Sequence, residues 1–240
     1  MEIEQIMSYF SSCGLPLNTE KALQFRQYQA LIRQENRKLN LTRILQPQAI
    51  LEEHFYDALA WLPAGRLQPA ARLLDLGTGA GFPGIPLKIV LPSLKMYLLE
   101  ATRKKIIFLK KVIKELNLRE VTLFQQRAEV LARGELRESF AWVTARALAP
   151  LAAALELALP LVRVGGFFWA WKGPAVFQEL AQAEHILARC GGKLIDQFNY
   201  RLPQGNKERT ILIFKKVAPA EDYFPRRDGI PQKRPLFNKN

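Results

Sequence analysis

Apolar and polar positions alternate along this chain in two regimes. From residue 1 to about 65 the apolar residues recur at helical spacing. IEQIMSYFSSCG closes on Gly14, and Asn18 or Thr19 can cap TEKALQFRQYQALIRQENRK. A third helix is expected over 47–61, opening at Pro47 and gathering Ile50, Leu51, Phe55, Ala58 and Leu62 on one side. Beyond PAGRLQPAA, short apolar runs alternate with helical ones. ARLLDLG, KMYLLEA, VTLFQQ, FAWVTARA and GGFFWAWK read as strands; PGIPLKIVL, RKKIIFLKKVIKEL, AEVLARGEL, LAAALELALPLV and VFQELAQAEHILARC read as helices. This alternation predicts an α/β fold with a parallel sheet covered on both faces. KLIDQFNYRL and RTILIFKKV, separated only by PQGNKE, predict an antiparallel hairpin at the sheet edge. From 218 onward the sequence is rich in proline and charge without periodicity, so a tail is expected. The expected parts are a helical cap (1–65), a main domain (66–217) and a basic tail (218–240).

Composition narrows the function classes. Lys and Arg total 35 against 22 Asp and Glu, and the net charge of +13 makes a polyanionic partner the first to consider. Cys13 and Cys190 stand far apart and in no metal-ligand spacing, so neither a disulfide scaffold nor a metal site is expected. The most apolar stretch, residues 147–162, is broken by Pro150, Glu156 and Pro160 and is too short to span a bilayer. MEIEQIMSYF lacks the basic start of a signal peptide. A cytoplasmic protein, monomeric and away from the membrane, is expected.

The chemistry concentrates in LLDLGTGAGFPGIPL, residues 73–87. Gly79 to Gly84 satisfies the G-x-G-x-x-G spacing of a dinucleotide turn, which rests a pyrophosphate on a helix start. Asp75, directly before the turn, would oppose such an anion. S-adenosylmethionine carries a sulfonium and an amine instead, so a carboxylate there is tolerable, and Glu100 at the next strand end can accept both ribose hydroxyls. The methyl donor is therefore the preferred ligand, with Gly77, Gly79 and Gly81 letting the backbone approach it. After the third strand, Ala128 and Glu129 would hold the adenine edge, and after the fourth, Arg146 would lie beside the methyl. A plainer reading of Arg146 is a loop arginine paired with a nearby carboxylate. A nicotinamide-dependent oxidoreductase and a non-catalytic RNA-binding assembly factor remain the alternatives.

No N/D-P-P-Y/F follows the fourth strand and no Pro-Cys pair exists, so methylation of an exocyclic base amine or covalent attack on a pyrimidine is disfavoured. Guanine N7 needs neither device, because its lone pair is available at neutral pH and alignment does most of the work. For RNA contacts the candidates are Arg103, Lys110 and Lys114 on one helix face, and Arg226, Arg227, Lys233 and Arg234 in the tail.

These residues carry a family resemblance. DLGTGAGFPGIPL at 75–87, NLT at 40–42, H-x-x-D at 54–57, LLEATRKKIIFL at 98–109, RAE at 127–129, ARA at 145–147 and WKG at 171–173 together resemble the bacterial small-subunit ribosomal RNA methyltransferase G family. The resemblance implies a class I, Rossmann-like methyltransferase with a seven-stranded, mostly parallel sheet. It also implies S-adenosylmethionine as donor and N7 of one guanine in a decoding-region loop of 16S rRNA, or of the 30S subunit, as acceptor. Its donor-binding pattern falls on Gly77, Phe82, Glu100, Ala101, Thr102, Ala128, Glu129 and Arg146. Ala145 and Ala58 stand where many members have serine, and Glu100 where many have aspartate. His54 and Asp57 are read as bracing the cap against the main domain.

Overall fold

The computed structural model describes residues 1–64, 67, 70–173 and 176–237. The expected boundary at 65/66 and the last residues of the tail, 238–240, lie outside them.

Seven strands form one sheet: β1 (Arg72–Leu76), β2 (Lys95–Leu99), β3 (Val121–Phe124), β4 (Phe140–Arg146), β5 (Val162–Lys172), β6 (Gly192–Arg201) and β7 (Glu208–Lys216). Their order is β3-β2-β1-β4-β5-β7-β6. The first five pair in parallel, and β7 runs antiparallel to both β5 and β6. The burial of each strand explains its place. Four of the five residues of β1 are buried, as a central parallel strand requires, while β6 alternates half-buried and exposed positions, as an edge strand can. Strand order reverses between β1 and β4, which opens a crevice at their carboxyl ends.

Helices α5 (Gly84–Val90) and α6 (Arg103–Glu115) cover one face, together with the cap helices α1 (Ile3–Ser12) and α2 (Thr19–Leu39). Asn18 caps α2 by accepting from Lys21 N at 2.9 Å. Phe10, Phe25 and Phe55 of the cap share a single hydrophobic cluster with Leu73, Leu98, Trp142 and Trp169 of the sheet, so cap and sheet face are one core. The other face carries α7 (Ala128–Arg133), α8 (Leu151–Ala158) and α9 (Val176–Arg189).

Two expectations change. The helix over 47–61 is instead α3 (Pro47–Ile50), a wider π turn (Leu51–Tyr56) and α4 (Asp57–Leu59). In the wider turn Asp57 N–H donates to Glu52 O and His54 O, and Glu53 O accepts from Arg146 Nη1 at 3.0 Å. The segment from 218 is packed rather than tail-like. Phe224 is fully buried against the α7–α9 face, and Arg137 donates to the carbonyls of Ala220, Glu221 and Phe224.

Candidate active site

The glycine turn after β1 closes on itself. Gly77, Gly79 and Gly81 all adopt positive φ. Gly77 stands at φ +67°, a backbone conformation that favours glycine, and a Cβ there would displace the Leu148 side-chain tip, whose Cδ1 is 2.5 Å away. Asp75 is fully buried beneath the turn. One carboxylate oxygen accepts from Thr78 Oγ1 (2.6 Å) and Gly84 N (2.9 Å), the other from Thr144 Oγ1 (3.2 Å). Burial raises its pKa to about 6 against those hydrogen bonds. The carboxylate thus braces the turn and does not line the cavity beside Glu100, where sequence reasoning had counted it with the donor-binding residues. Most of the turn's donors are spent as well. Thr78, Gly79, Gly81, Phe82 and Gly84 N–H groups all find acceptors inside the protein, and positions 83 and 86 are prolines. A pyrophosphate therefore finds almost no donor at this helix start, and the preference against a dinucleotide stands for a different reason than the one read from sequence.

Glu100 sits at the end of β2 with its carboxylate largely buried. It accepts from Gly79 N (3.1 Å) and Thr102 N (2.8 Å), with Lys105 Nζ at 3.7 Å. Beside it a cavity of about 260 Å³ is lined by Gly77, Glu100, Ala101, Gln126, Ala128 and Glu129, closed on its other side by Ala147, Leu148 and Leu157. Gly77, Glu100, Ala101, Ala128 and Glu129, drawn from three different strand ends, are therefore brought together as expected from sequence. Thr102, Gly79 and Gly81 do not line it.

Arg146 and Phe82 belong to a neighbouring cluster. Arg146 Nη1 donates to Asp57 Oδ2 at 2.9 Å, and its guanidinium carbon lies 4.9 Å from the Phe82 ring centroid. Phe82 in turn stacks on His54 at 4.4 Å. Arg146 Nη2 lies 3.1 Å from His54 Nδ1, which can only accept from a guanidinium, so Nε2 carries the proton and donates to Thr42 Oγ1 at 2.8 Å. Burial, with Arg146 adding to it, lowers the His54 pKa to about 3, and the ring is neutral. Asp57 Oδ1 accepts from Tyr200 Oη at 2.7 Å, and its main-chain oxygen from Trp171 Nε1. Burial and the adjacent Asp57 push the Tyr200 hydroxyl well above its ordinary range. The plain reading of Arg146, a loop arginine on a carboxylate, describes this pairing. So does the bracing role of His54 and Asp57.

This cluster lines a second cavity of about 370 Å³ with Ile44, Glu53, Trp171, Lys172 and Arg209. Ala147 lines both cavities. It holds φ +52°, an uncommon conformation for a side-chain-bearing residue. Sequence reasoning placed Ala147 only inside the ARA motif and missed Tyr200 and Arg209, which come from the edge hairpin and carry no local signal. Of the expected RNA contacts, Arg103, Lys110, Lys114, Arg227, Lys233 and Arg234 are exposed. Arg226 is turned inward onto the buried Glu156, at 2.7 Å, and is withdrawn as a phosphate contact.

Among the described residues no helix is long and apolar enough to cross a membrane. Comparison with known proteins agrees with this geometry. Residues 21–211 match the family described as rRNA small subunit methyltransferase G. The ribosomal RNA small subunit methyltransferase G of Carboxydothermus hydrogenoformans is 41% identical over 97% of this chain and 99% of its own. That of Deinococcus radiodurans is 42% identical over 90% and 86%. The crystal structure of M. jannaschii TYW2 in complex with AdoMet superposes with a TM-score of 0.54 at 16% identity, over 75% of this chain and 81% of that one, a likeness of fold alone. The chain belongs to the ribosomal RNA small subunit methyltransferase G family.

Proposed function

We propose that the protein transfers the methyl group of S-adenosylmethionine to N7 of one guanine in a decoding-region loop of 16S rRNA, as a monomer in the cytoplasm, on free rRNA or on the 30S subunit. The observation that carries this reading is the meeting of two cavities at Ala147, on the carboxyl edge of the sheet at the strand reversal. The glycine-lined cavity fits the donor: Gly77 allows close backbone approach, the Glu100 carboxylate stands where a ribose can be held, and Ala128 and Glu129 bound the purine end. Bound there, S-adenosylmethionine supplies an electrophilic methyl on a sulfonium.

The chain's own residues contribute position and charge balance. N7 carries its lone pair at neutral pH and loses no proton on methylation, so a general base is unnecessary. Positive charge passes to the base, and an unpaired cation beside it would oppose that passage. Arg146 is held by Asp57 and Glu53 O, and His54 is neutral, so the cluster adds little net charge while fixing the cavity wall. Trp171 gives that cavity an aromatic side, and the two further cations that line it are also paired, Lys172 with Glu179 at 2.7 Å and Arg209 with Asp57 at 3.4 Å. Exposed Arg103, Lys110 and Lys114 on α6, with Arg227, Lys233 and Arg234, offer phosphate contacts farther out.

The test is transfer of labelled methyl to rRNA and to 30S subunits from a strain lacking the modification. Label recovered as N7-methylguanine at one nucleotide is the expected result. Failure to label either substrate, with donor binding intact, would leave an RNA-binding assembly factor in its place.

A further inference from the structure

The segment that follows the matched residues 21–211 also walls the donor cavity. Besides the ion pairs Arg189–Glu221 and Arg133–Asp228, four anchors hold it. Phe224 fills a fully buried position, Arg137 donates to three of its carbonyls, Arg226 binds Glu156, and Gly229 N donates to Glu129 Oε1 at 2.7 Å. A short helix, α10 (Ile230–Lys233), then brings Gln232 to the cavity beside Arg127, Ala128, Glu129 and Leu157.

Two of these anchors bear on the cavity. Glu156 is fully buried in the apolar helix α8, where a lone carboxylate would be costly. It is matched by Arg226 through its main-chain N–H (2.9 Å), Nε (2.9 and 3.1 Å) and Nη2 (2.7 Å). Such a site fixes the strap's path rather than merely tethering it. Glu129, the acid that sequence reasoning gave to the adenine edge, has one oxygen occupied by the strap itself. At that end of the cavity the strap returns an amide, Gln232, able both to donate and to accept.

We propose that residues 218–237 form a wall of the donor site and that Gln232 contacts the nucleoside half of S-adenosylmethionine. This rests on the methyl-donor reading of the cavity. The nucleoside half follows from topology. Gln232 follows Gly229, whose N–H is bound to Glu129 after β3, and three strand spacings separate β3 from β4, whose end carries Ala147 and the passage to the acceptor cavity. At about 4.8 Å per spacing that is roughly 14 Å, so Gln232 lies at the far end from the reacting methyl.

The experiment is calorimetric titration with S-adenosylhomocysteine and with methylthioadenosine, which lacks the amino-acid half. Gln232→Ala is expected to weaken both by the same factor, about five- to tenfold for one lost hydrogen bond, without moving the ligand-free melting temperature. In the wild type, saturating S-adenosylhomocysteine is expected to slow tryptic cleavage after the exposed Arg227 and Lys233. Unchanged affinity in Gln232→Ala, or cleavage indifferent to ligand, overturns the strap's role. Weakening of S-adenosylhomocysteine alone overturns the nucleoside assignment. A wild-type protein that binds neither compound overturns the donor reading beneath it.

Discussion

The two ends of the chain cover opposite faces of one sheet, and each reaches past its carboxyl edge to wall a different cavity. The N-terminal helices bring His54 and Asp57 to Arg146 and the larger cavity; the C-terminal strap brings Gln232 to the donor cavity. Their means differ. The cap is held by a broad apolar interface, in which Tyr28 and Phe55 lie against Phe82 and Trp61 against Trp169. The strap depends on separate points: one aromatic, one buried ion pair, two exposed ion pairs to Arg189 and Arg133, and a few backbone bonds. A broad interface advertises itself as periodicity, whereas point anchoring does not.

The largest effects should come from emptying the core at each end, where Phe25 packs between Phe10 and Phe55 and Phe224 is fully buried. Phe25→Ala and Phe224→Ala are each expected to cost about 3–5 kcal/mol in urea unfolding. They should then part company: Phe224→Ala weakens binding of S-adenosylhomocysteine, and Phe25→Ala leaves it near wild type. If both variants bind alike, the division of labour between the two ends is wrong.

Next comes the cap's polar hinge. Asp57→Ala leaves Arg146, half-buried, without its carboxylate and is expected to cost about 3 kcal/mol. Methyl transfer should fall more than tenfold while donor affinity holds, measured by single-turnover labelling beside calorimetry.

A smaller effect separates the cap by pH. His54 titrates near 3 in the fold against about 6.5 unfolded, so its contribution is complete above 6.5 and is lost as pH falls toward 3. Asp75 acts in the opposite sense. Its raised value, about 6, makes its contribution greatest below 3.8 and lost as pH rises toward 6. The wild type should therefore show a flattened profile. His54→Gln should unmask the Asp75 trend, and the stability difference between wild type and variant should shrink by about 2 kcal/mol from pH 6.5 to 5. Parallel profiles for the two proteins would remove His54 from the account.

The smallest expected change concerns Glu100. Glu100→Ala removes the acceptor for Gly79 N and Thr102 N and should weaken S-adenosylhomocysteine about tenfold, close to 1.4 kcal/mol. Equal affinity would take the ribose role from it.

The strand alternation, the edge hairpin and the glycine turn were legible in the sequence because each is a local pattern. Asp75 was recognised as important, but its bracing role was not legible: its neighbours in sequence point to a ligand, while its partners Thr144 and Gly84 come from β4 and the start of α5. The π turn was illegible because Arg146, which takes up Glu53 O there, lies 93 residues away. The strap shows the limit most clearly. Glu156 read as an interruption of an apolar run and Arg226 as one more basic residue, yet they are two halves of a single buried ion pair. Neither half has meaning without the other.

All four tryptophans of the chain gather where the cap meets the sheet. Trp61 stands edge-on to Trp169 at 3.9 Å, Trp142 lies 4.7 Å from Trp169, and Trp171 is 6.5 Å from Trp61. At such separations the indoles exchange excitation, and Trp61, next to α4, is the cap's member of the group. The protein's ultraviolet emission is thus a built-in gauge of whether the cap is seated. With no indole among residues 218–240, the same light carries no direct indole signal from the strap, and the unfolding of the two ends can be followed separately by adding a single dye there.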